Sequence, residues 1–251
     1  MLLTNRVAIV TGAPRGIGNA VVRGFAREGA SVVLNYIAYE EEALRTVSMI
    51  EEAGGKAMAY RADVTKYAEI QGMVEAAVKR FGKIDILVNN AGAYPRCAWH
   101  EITEEQWDLV LGVNLKGTFL CCKAVYPYMK QQNYGRIINV SSVTFWRGQE
   151  NIAHYIASKG GIIGFTRAIA REVGRDGIGV NAITPGAVQT ETELELYPDQ
   201  EAVAQQMAAA QCFPDRVTSE DIVGTFVYLA SEQSAKVTGQ TINVDGGWVM
   251  H

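Results

Sequence analysis

"RVAIVTGAPRGIG", residues 6–18, is the stretch on which the fold turns. Val7, Ala8, Ile9 and Val10 form a short apolar run with β-branched members, the pattern of a strand buried on both faces. Thr11 and Gly12 end the run. Gly16 and Gly18 open "GIGNAVVRGFAREG" (16–29), whose apolar residues recur at helical spacing until Gly29 stops them. A strand, a glycine turn and a helix in immediate succession form the first half of a βαβ unit, in which the next strand lies parallel to the first.

Working outward, the alternation continues. "ASVVLNY" (30–36), "KAMAYRADV" (56–64), "IDILVNNAG" (84–92), "GRIINVSS" (135–142), "IGVNAITPG" (178–186) and "GQTINVDGG" (239–247) read as further strands. Between them lie helical stretches at 40–55, 67–82, 103–129, 152–174 and 219–231. Thr103 and Gln106 have the spacing of a capping box at the start of the third of these. Seven strands alternating with six helices predict an α/β fold: a doubly wound parallel sheet of Rossmann type, helices on both faces, one domain over 1–251. Residues 190–217 are too long for an ordinary connection. They leave from the carboxyl end of the sixth strand, where open α/β sheets bind ligands, so they are expected to form a lid over a substrate. A short helix is expected near "DQEAVAQQMAAA" (199–210).

The composition narrows the function. The formal net charge is −4 and no basic block is present, so nucleic acid is not an expected partner. No leader-like segment opens the chain and no unbroken apolar run reaches the ~18 residues of a membrane span. A cytoplasmic protein without a membrane partner is the expectation. Cys97, Cys121, Cys122 and Cys212 match no metal or redox spacing, and no metal site is expected. Cys121 and Cys122 lie in an apolar run and read as buried thiols.

Gly12, Gly16 and Gly18 allow a diphosphate to approach the backbone at a helix N-terminus, where free amides and the dipole favour an anion. Their spacing differs from the usual dinucleotide fingerprint, but their place between strand and helix points to a dinucleotide. Ile17 and Arg15 belong to the same loop. The second strand ends in Asn35-Tyr36, and no carboxylate follows before Glu40. A 2′-phosphate is therefore not repelled, and Arg15 is in reach of one. The pattern favours NADP(H), with NAD(H) as the alternative. Asp63 and Val64 end the third strand where an adenine would lie. Asn89, Ala91 and Gly92 end the fourth, beside a ribose.

"HYIASKGG" (154–161) sets Tyr155 four residues before Lys159, so the two share a helix face. A cationic lysine beside the phenol is expected to favour its ionised form. Ser142 ends the fifth strand. Asn114 lies inside a helical stretch, an unfavourable place for asparagine that calls for an outside partner.

Taken together, "TGAPRGIG", "NNAG", "VNLKGTF", "INVSS", "YIASK" and "ITPG" resemble the classical short-chain dehydrogenases/reductases, in family order over essentially the whole chain. The resemblance implies an oxidoreductase with a tetrad of Asn114, Ser142, Tyr155 and Lys159. It implies cofactor contacts at Asn89, Lys159, Pro185, Gly186, Val188 and Thr190, with the Tyr155 phenol beside the nicotinamide. It also implies a homotetramer, with one interface through the fourth and fifth helices and another through the last strand and Trp248.

The substrate is expected to be a small carbonyl or alcohol in an aromatic, mainly apolar pocket of Tyr94, Phe145, Trp146, His154, Val188 and Leu194. In detail the chain resembles the 1-phenylethanol dehydrogenase and pyridoxal 4-dehydrogenase subgroups. The 3-oxoacyl reductases are the alternative. Against them stands the lid, rich in Asp and Glu and without Lys or Arg between Asp176 and Asp215, which is expected to repel acidic acyl carriers. A non-catalytic dinucleotide sensor is the reading of another class.

Overall fold

The computed structural model describes residues 1–250. The opening stretch folds as β1 (Val7–Val10), a turn, and α1 (Gly16–Arg27). Next come β2 (Ser31–Tyr36), α2 (Glu40–Glu52), β3 (Lys56–Arg61), α3 (Tyr67–Phe81) and β4 (Ile86–Asn89). After a loop follow α4 (Glu104–Leu111), a π-helical turn (Gly112–Lys116) and α5 (Gly117–Gln131). The chain goes on through β5 (Gly135–Val140), α6 (Thr144–Arg147), α7 (Ala153–Val173) and β6 (Ile178–Pro185). It closes with α8 (Glu191–Leu196), α9 (Gln200–Ala210), α10 (Val223–Ala230) and β7 (Thr241–Val244).

The strands form one parallel sheet in the order β3-β2-β1-β4-β5-β6-β7. The order reverses between β1 and β4, and a crevice opens at their carboxyl ends, the place where such sheets bind ligands. Alternation along β1 shows how both faces are filled. Ala8 and Val10 join Leu34, Phe25 and Phe226 in the core under α1 and α10. Ile9 joins Val33, Ile70, Leu87 and Met129 in the core under α3 and α5. A strand with period two and cores on both sides must be apolar throughout, which is why β1 carries no polar residue.

Three expectations change in detail. The third helical stretch is not regular: its capping box forms as predicted at Thr103 and Gln106, but the helix widens by one residue at 112–116. Residues 190–217, expected to form a lid, hold two helices, α8 and α9, where one was expected. The continuous helical stretch Glu104–Gln131 has the length and composition of a membrane span, although its sequence is not an unbroken apolar run. Half of its most apolar window is buried inside the domain, as in a core helix. Cys121 and Cys122 are buried as expected, and desolvation pushes both thiols up, Cys122 to about 12. They are packing residues and not nucleophiles.

Candidate active site

The glycine loop is built around close backbone approach. Gly12 has φ +60°, and a Cβ there would lie 2.7 Å from Ala91 Cα. A Cβ on Gly18 would lie 2.6 Å from Asn90 Nδ2. Asn90, which the sequence did not single out, fixes the loop. Its Nδ2 donates to the carbonyls of Thr11 (3.0 Å) and Gly12 (2.8 Å). The Thr11 hydroxyl in turn accepts from the amides of Asn90 (3.0 Å) and Ala91 (3.1 Å). These bonds tie the ends of β1 and β4 together at the switch point.

Two proposed cofactor residues have their side chains committed elsewhere. Asn35 is buried. Its Oδ1 accepts from the Gly12 amide (3.3 Å) and its Nδ2 donates to the Ala62 carbonyl (2.9 Å), so it braces the loop from behind. Asn89 is also buried, and its Nδ2 donates to Asn139 Oδ1 (2.8 Å) and Cys122 Sγ (3.3 Å) under the helix layer. Period two in β4 turns Asn89 into the sheet and leaves Asn90 for the loop. Asp63 forms a turn with Thr65, accepting from its amide (2.9 Å) and hydroxyl (2.8 Å). Burial opposes its ionisation, but these bonds and Lys66 hold the carboxyl below its ordinary range. Val64 beside it is buried against Gly117.

The chain returns to the loop after β6. The Pro185 carbonyl accepts from the Val143 amide (3.1 Å), and Gly186 lies against Asp245, where a Cβ would meet Cα at 2.7 Å. Thr190 caps α8 by accepting from the Glu193 amide (3.2 Å), and its methyl lies 3.3 Å from where a Gly16 side chain would start. Arg15 does not stand free. Its guanidinium lies over the Tyr39 ring (4.7 Å to the centroid) and pairs with Glu195.

The reaction centre lies one strand further on. Lys159 is 3 % exposed, donates to the Val140 carbonyl at 2.7 Å, and sits 5.4 Å from the Tyr155 ring centroid. Asn114 is fully buried. Its Oδ1 accepts from the Ala93 amide (2.7 Å), and its Nδ2 donates to the Ala93 carbonyl (3.1 Å) and to Ser158 Oγ (2.9 Å). Ser158 donates to the Tyr155 carbonyl (2.7 Å), and Ser141 to the Lys159 carbonyl (2.8 Å). These two serines flank the recognised motif positions and pin α7 to its neighbours. The outside partner that Asn114 calls for is therefore the Ala93 backbone, and the π-helical turn aims the side chain at it.

Ser142 accepts from both the amide (3.2 Å) and the hydroxyl (2.9 Å) of Thr144. With those acceptor sites taken, its own O–H is left to donate. It bonds the Tyr155 phenol, which favours the ionised form, but burial outweighs that bond and pushes the phenol up to about 12. Burial also pushes Lys159 down to about 8. The expected lowering of the phenol by the lysine is thus not found in this state of the site. Lys159 turns its charge toward a carbonyl, and desolvation of both groups dominates.

Of the expected pocket residues, Tyr94 meets Tyr155 edge to face, with centroids 4.7 Å apart and planes at 84°. Phe145 and Trp146 contact each other edge to face (4.8 Å), Phe145 lying over Gly160 of α7. Leu194 is exposed on α8. His154 and Val188 do not fit the expectation. His154 is fully buried, turned away from Tyr155 by its place on the helix, and Val188 is packed into the core. The acidic lid is also not a free negative face. Glu191 accepts from the Gly16 amide (2.8 Å), Glu193 pairs with Arg216 (2.9 Å), and Glu195 pairs with Arg15.

The glycine loop, where a Cβ at Gly12 or Gly18 would run into neighbouring atoms, and a helix-terminal amide that now holds a carboxylate both fit a dinucleotide diphosphate. Residues 12–249 match the family described as enoyl-(acyl carrier protein) reductase. Among curated relatives, the 3-oxoacyl-acyl-carrier-protein reductase of Synechocystis is 40 % identical over 99 % of this chain and 98 % of its own. A hydroxy(phenyl)methylsuccinyl-CoA dehydrogenase subunit of Thauera aromatica is 39 % identical over 98 % of both chains. Among solved structures, a putative gluconate dehydrogenase of Agrobacterium tumefaciens superposes with a TM-score of 0.92 at 34 % identity, over 99 % of this chain and 98 % of that one. Sheet order, glycine loop and these likenesses define a nicotinamide-dependent oxidoreductase of Rossmann type. The chain belongs to the short-chain dehydrogenase/reductase family, whose members use NAD(P)H.

Proposed function

We propose that the protein interconverts a small aromatic or bulky ketone and its secondary alcohol, with NADP(H) as cofactor. The observation that carries this reading is the Tyr94–Tyr155 edge-to-face pair beside a Ser142 hydroxyl that bonds the Tyr155 phenol. It puts one aromatic wall and one proton-bearing pair at the same spot. The curated relative whose name includes a phenyl-bearing carbinol supports an aryl substrate. Gly12, Ile17, Gly18, Ala91 and Gly92 would hold the diphosphate and ribose, Asp63 and Val64 the adenine, and Pro185, Gly186 and Thr190 the nicotinamide end. Arg15 would hold the 2′-phosphate.

When bound, the nicotinamide supplies or accepts the hydride. The chain supplies the rest. Ser142 donates to the substrate oxygen as charge develops on it. Tyr155 gives that oxygen a proton in reduction and removes one in oxidation. Lys159 would hold the nicotinamide ribose, and its positive charge near the phenol would favour the ionised form of Tyr155. Asn114 keeps the Ala93 turn and α7 in register and acts through position. Binding of substrate between Tyr94 and the lid excludes water.

A second reading, reduction of a 3-oxoacyl thioester, is supported by the pairing of Glu193 with Arg216, which makes the lid less negative than its composition suggests. The reductases among the relatives support it as well. The expected setting is the cytoplasm, with a small-molecule substrate and neither nucleic acid nor membrane as partner. The assembly is a homotetramer, supported by the exposed Trp107 and Phe119 on α4 and α5.

The test is absorbance at 340 nm with NADPH and NADH, each against an acetophenone-type ketone, pyridoxal and an acetoacetyl thioester. NADPH oxidation with the aryl ketone is the expected result. Turnover restricted to the thioester selects the second reading, restriction to NADH overturns the cofactor assignment, and no turnover with any carbonyl leaves a dinucleotide sensor.

A further inference from the structure

The lid helix α8 carries glutamates at alternate positions, Glu191, Glu193 and Glu195. Residues four apart share a helix face, so Glu191 and Glu195 point one way and Glu193 the other. The first two meet the glycine loop, Glu191 on the Gly16 amide at 2.8 Å and Glu195 on the Arg15 guanidinium. Glu193 turns back to Arg216, a residue of the same lid segment.

Both outward contacts fall on groups that a dinucleotide needs. The Gly16 amide opens α1, where a diphosphate is favoured. Arg15 lies over Tyr39, just past the end of β2, where a ribose 2′-substituent is read in this topology. A carboxylate on an amide and a carboxylate on a guanidinium reproduce the charge-assisted bonds that phosphate oxygens make.

We infer that α8 is an internal competitor for the dinucleotide, and that Glu195 makes the competition depend on the 2′-phosphate. Any dinucleotide displaces Glu191 from Gly16. A 2′-phosphate also takes Arg15 from Glu195. NADP(H) therefore releases both anchors of α8, whereas NAD(H) leaves the Arg15–Glu195 pair in place. The inference rests on the reading of Arg15 as the 2′-phosphate ligand.

Fluorescence titration of the full chain with NADPH and with NADH tests it. Glu191 and Glu195 are exposed, so their substitution leaves the core intact. E195Q is expected to tighten NADPH roughly two- to fivefold, the scale of an exposed ion pair, and to leave NADH unchanged. Glu191→Ala tightens both by a similar factor. E201Q removes the same charge from α9, where Glu201 accepts from Gln205, and changes neither. An unchanged NADPH constant in E195Q overturns the inference, as does equal tightening by E201Q, which reduces the effect to overall charge. Arg15→Ala separates the two layers. If it weakens NADPH alone while E195Q is silent, the competitor falls and the Arg15 reading stands. If it changes neither constant, the Arg15 reading falls and the inference with it.

Discussion

The reaction centre and the lid are fastened by different physics. Around Asn114, Ser142 and Lys159, buried side chains bond backbone groups of β5, α7 and the loop after β4. Three of these four bonds are buried, and breaking a buried one leaves a group unpaired, at a cost of about 1–3 kcal/mol. Residues 190–217 reach the glycine loop through two glutamates, Glu191 and Glu195. Exposed pairs of this kind contribute roughly 0–1 kcal/mol each. One region is built to stay and the other to let go. A site that must hold reacting atoms in register, yet admit and release two ligands, needs both.

The largest effect that sharpens this contrast is on turnover. Tyr155→Phe is expected to lower kcat by roughly 10²–10⁴ while nicotinamide fluorescence titration shows unchanged cofactor binding. A loss of binding in place of turnover would move the phenol from the chemistry to the cradle.

The next effect is on stability and comes from Lys159. The unfolded chain holds that proton up to pH ~10.4, whereas in the folded protein burial lowers the pKa to about 8. The folded state thus binds fewer protons between those values, and stability rises with pH across that window. Lys159→Met lacks this gain, so the stability difference between wild type and variant should shift by about 2 kcal/mol in favour of wild type between pH 7.5 and pH 10 in urea titrations. A difference that does not change with pH would mean that Lys159 pays no desolvation cost.

The smallest effect lies in the lid. Glu195→Gln removes the exposed pair with Arg15 and is expected to change stability in urea titrations by no more than about 1 kcal/mol, while limited proteolysis cuts residues 190–217 faster. Global destabilisation would show that the lid is part of the core and erase the contrast.

The two regions also differed in how much their sequence disclosed. The sheet and its helices were legible because local pattern specifies them: period two in the strands and glycine between strand and helix. The expected tetrad rested on the family resemblance, with only the four-residue spacing of Tyr155 and Lys159 readable from the pattern itself. The supports were less legible. Asn90 and Asn89 are adjacent and chemically alike, and the pleat decides which one faces the loop. Thr144 and Ser158 matter through what they fill, which a motif does not record. The lid was misread as a negative face because the partner of Glu195 is 180 positions away. Its only readable clue was the spacing of Glu191 and Glu195, four apart and therefore on one face. His154 was misplaced for a related reason: adjacency to Tyr155 along the chain means about 100° of separation around the helix.

The π-helical turn at Gly112–Lys116 has a consequence for how this chain can change in length. A helix containing one surplus residue cannot lose it quietly. Removing a single residue there would wind the turn back to regular α-helix, rotate Asn114 by about 100°, and carry its amide away from Ala93 and Ser158. Residues 190–217 can absorb insertions because most of α8 and α9 is exposed. Here, in contrast, the residue count itself is part of the site, and the helix acts as a ruler that tolerates replacement of its marks but not their addition or deletion.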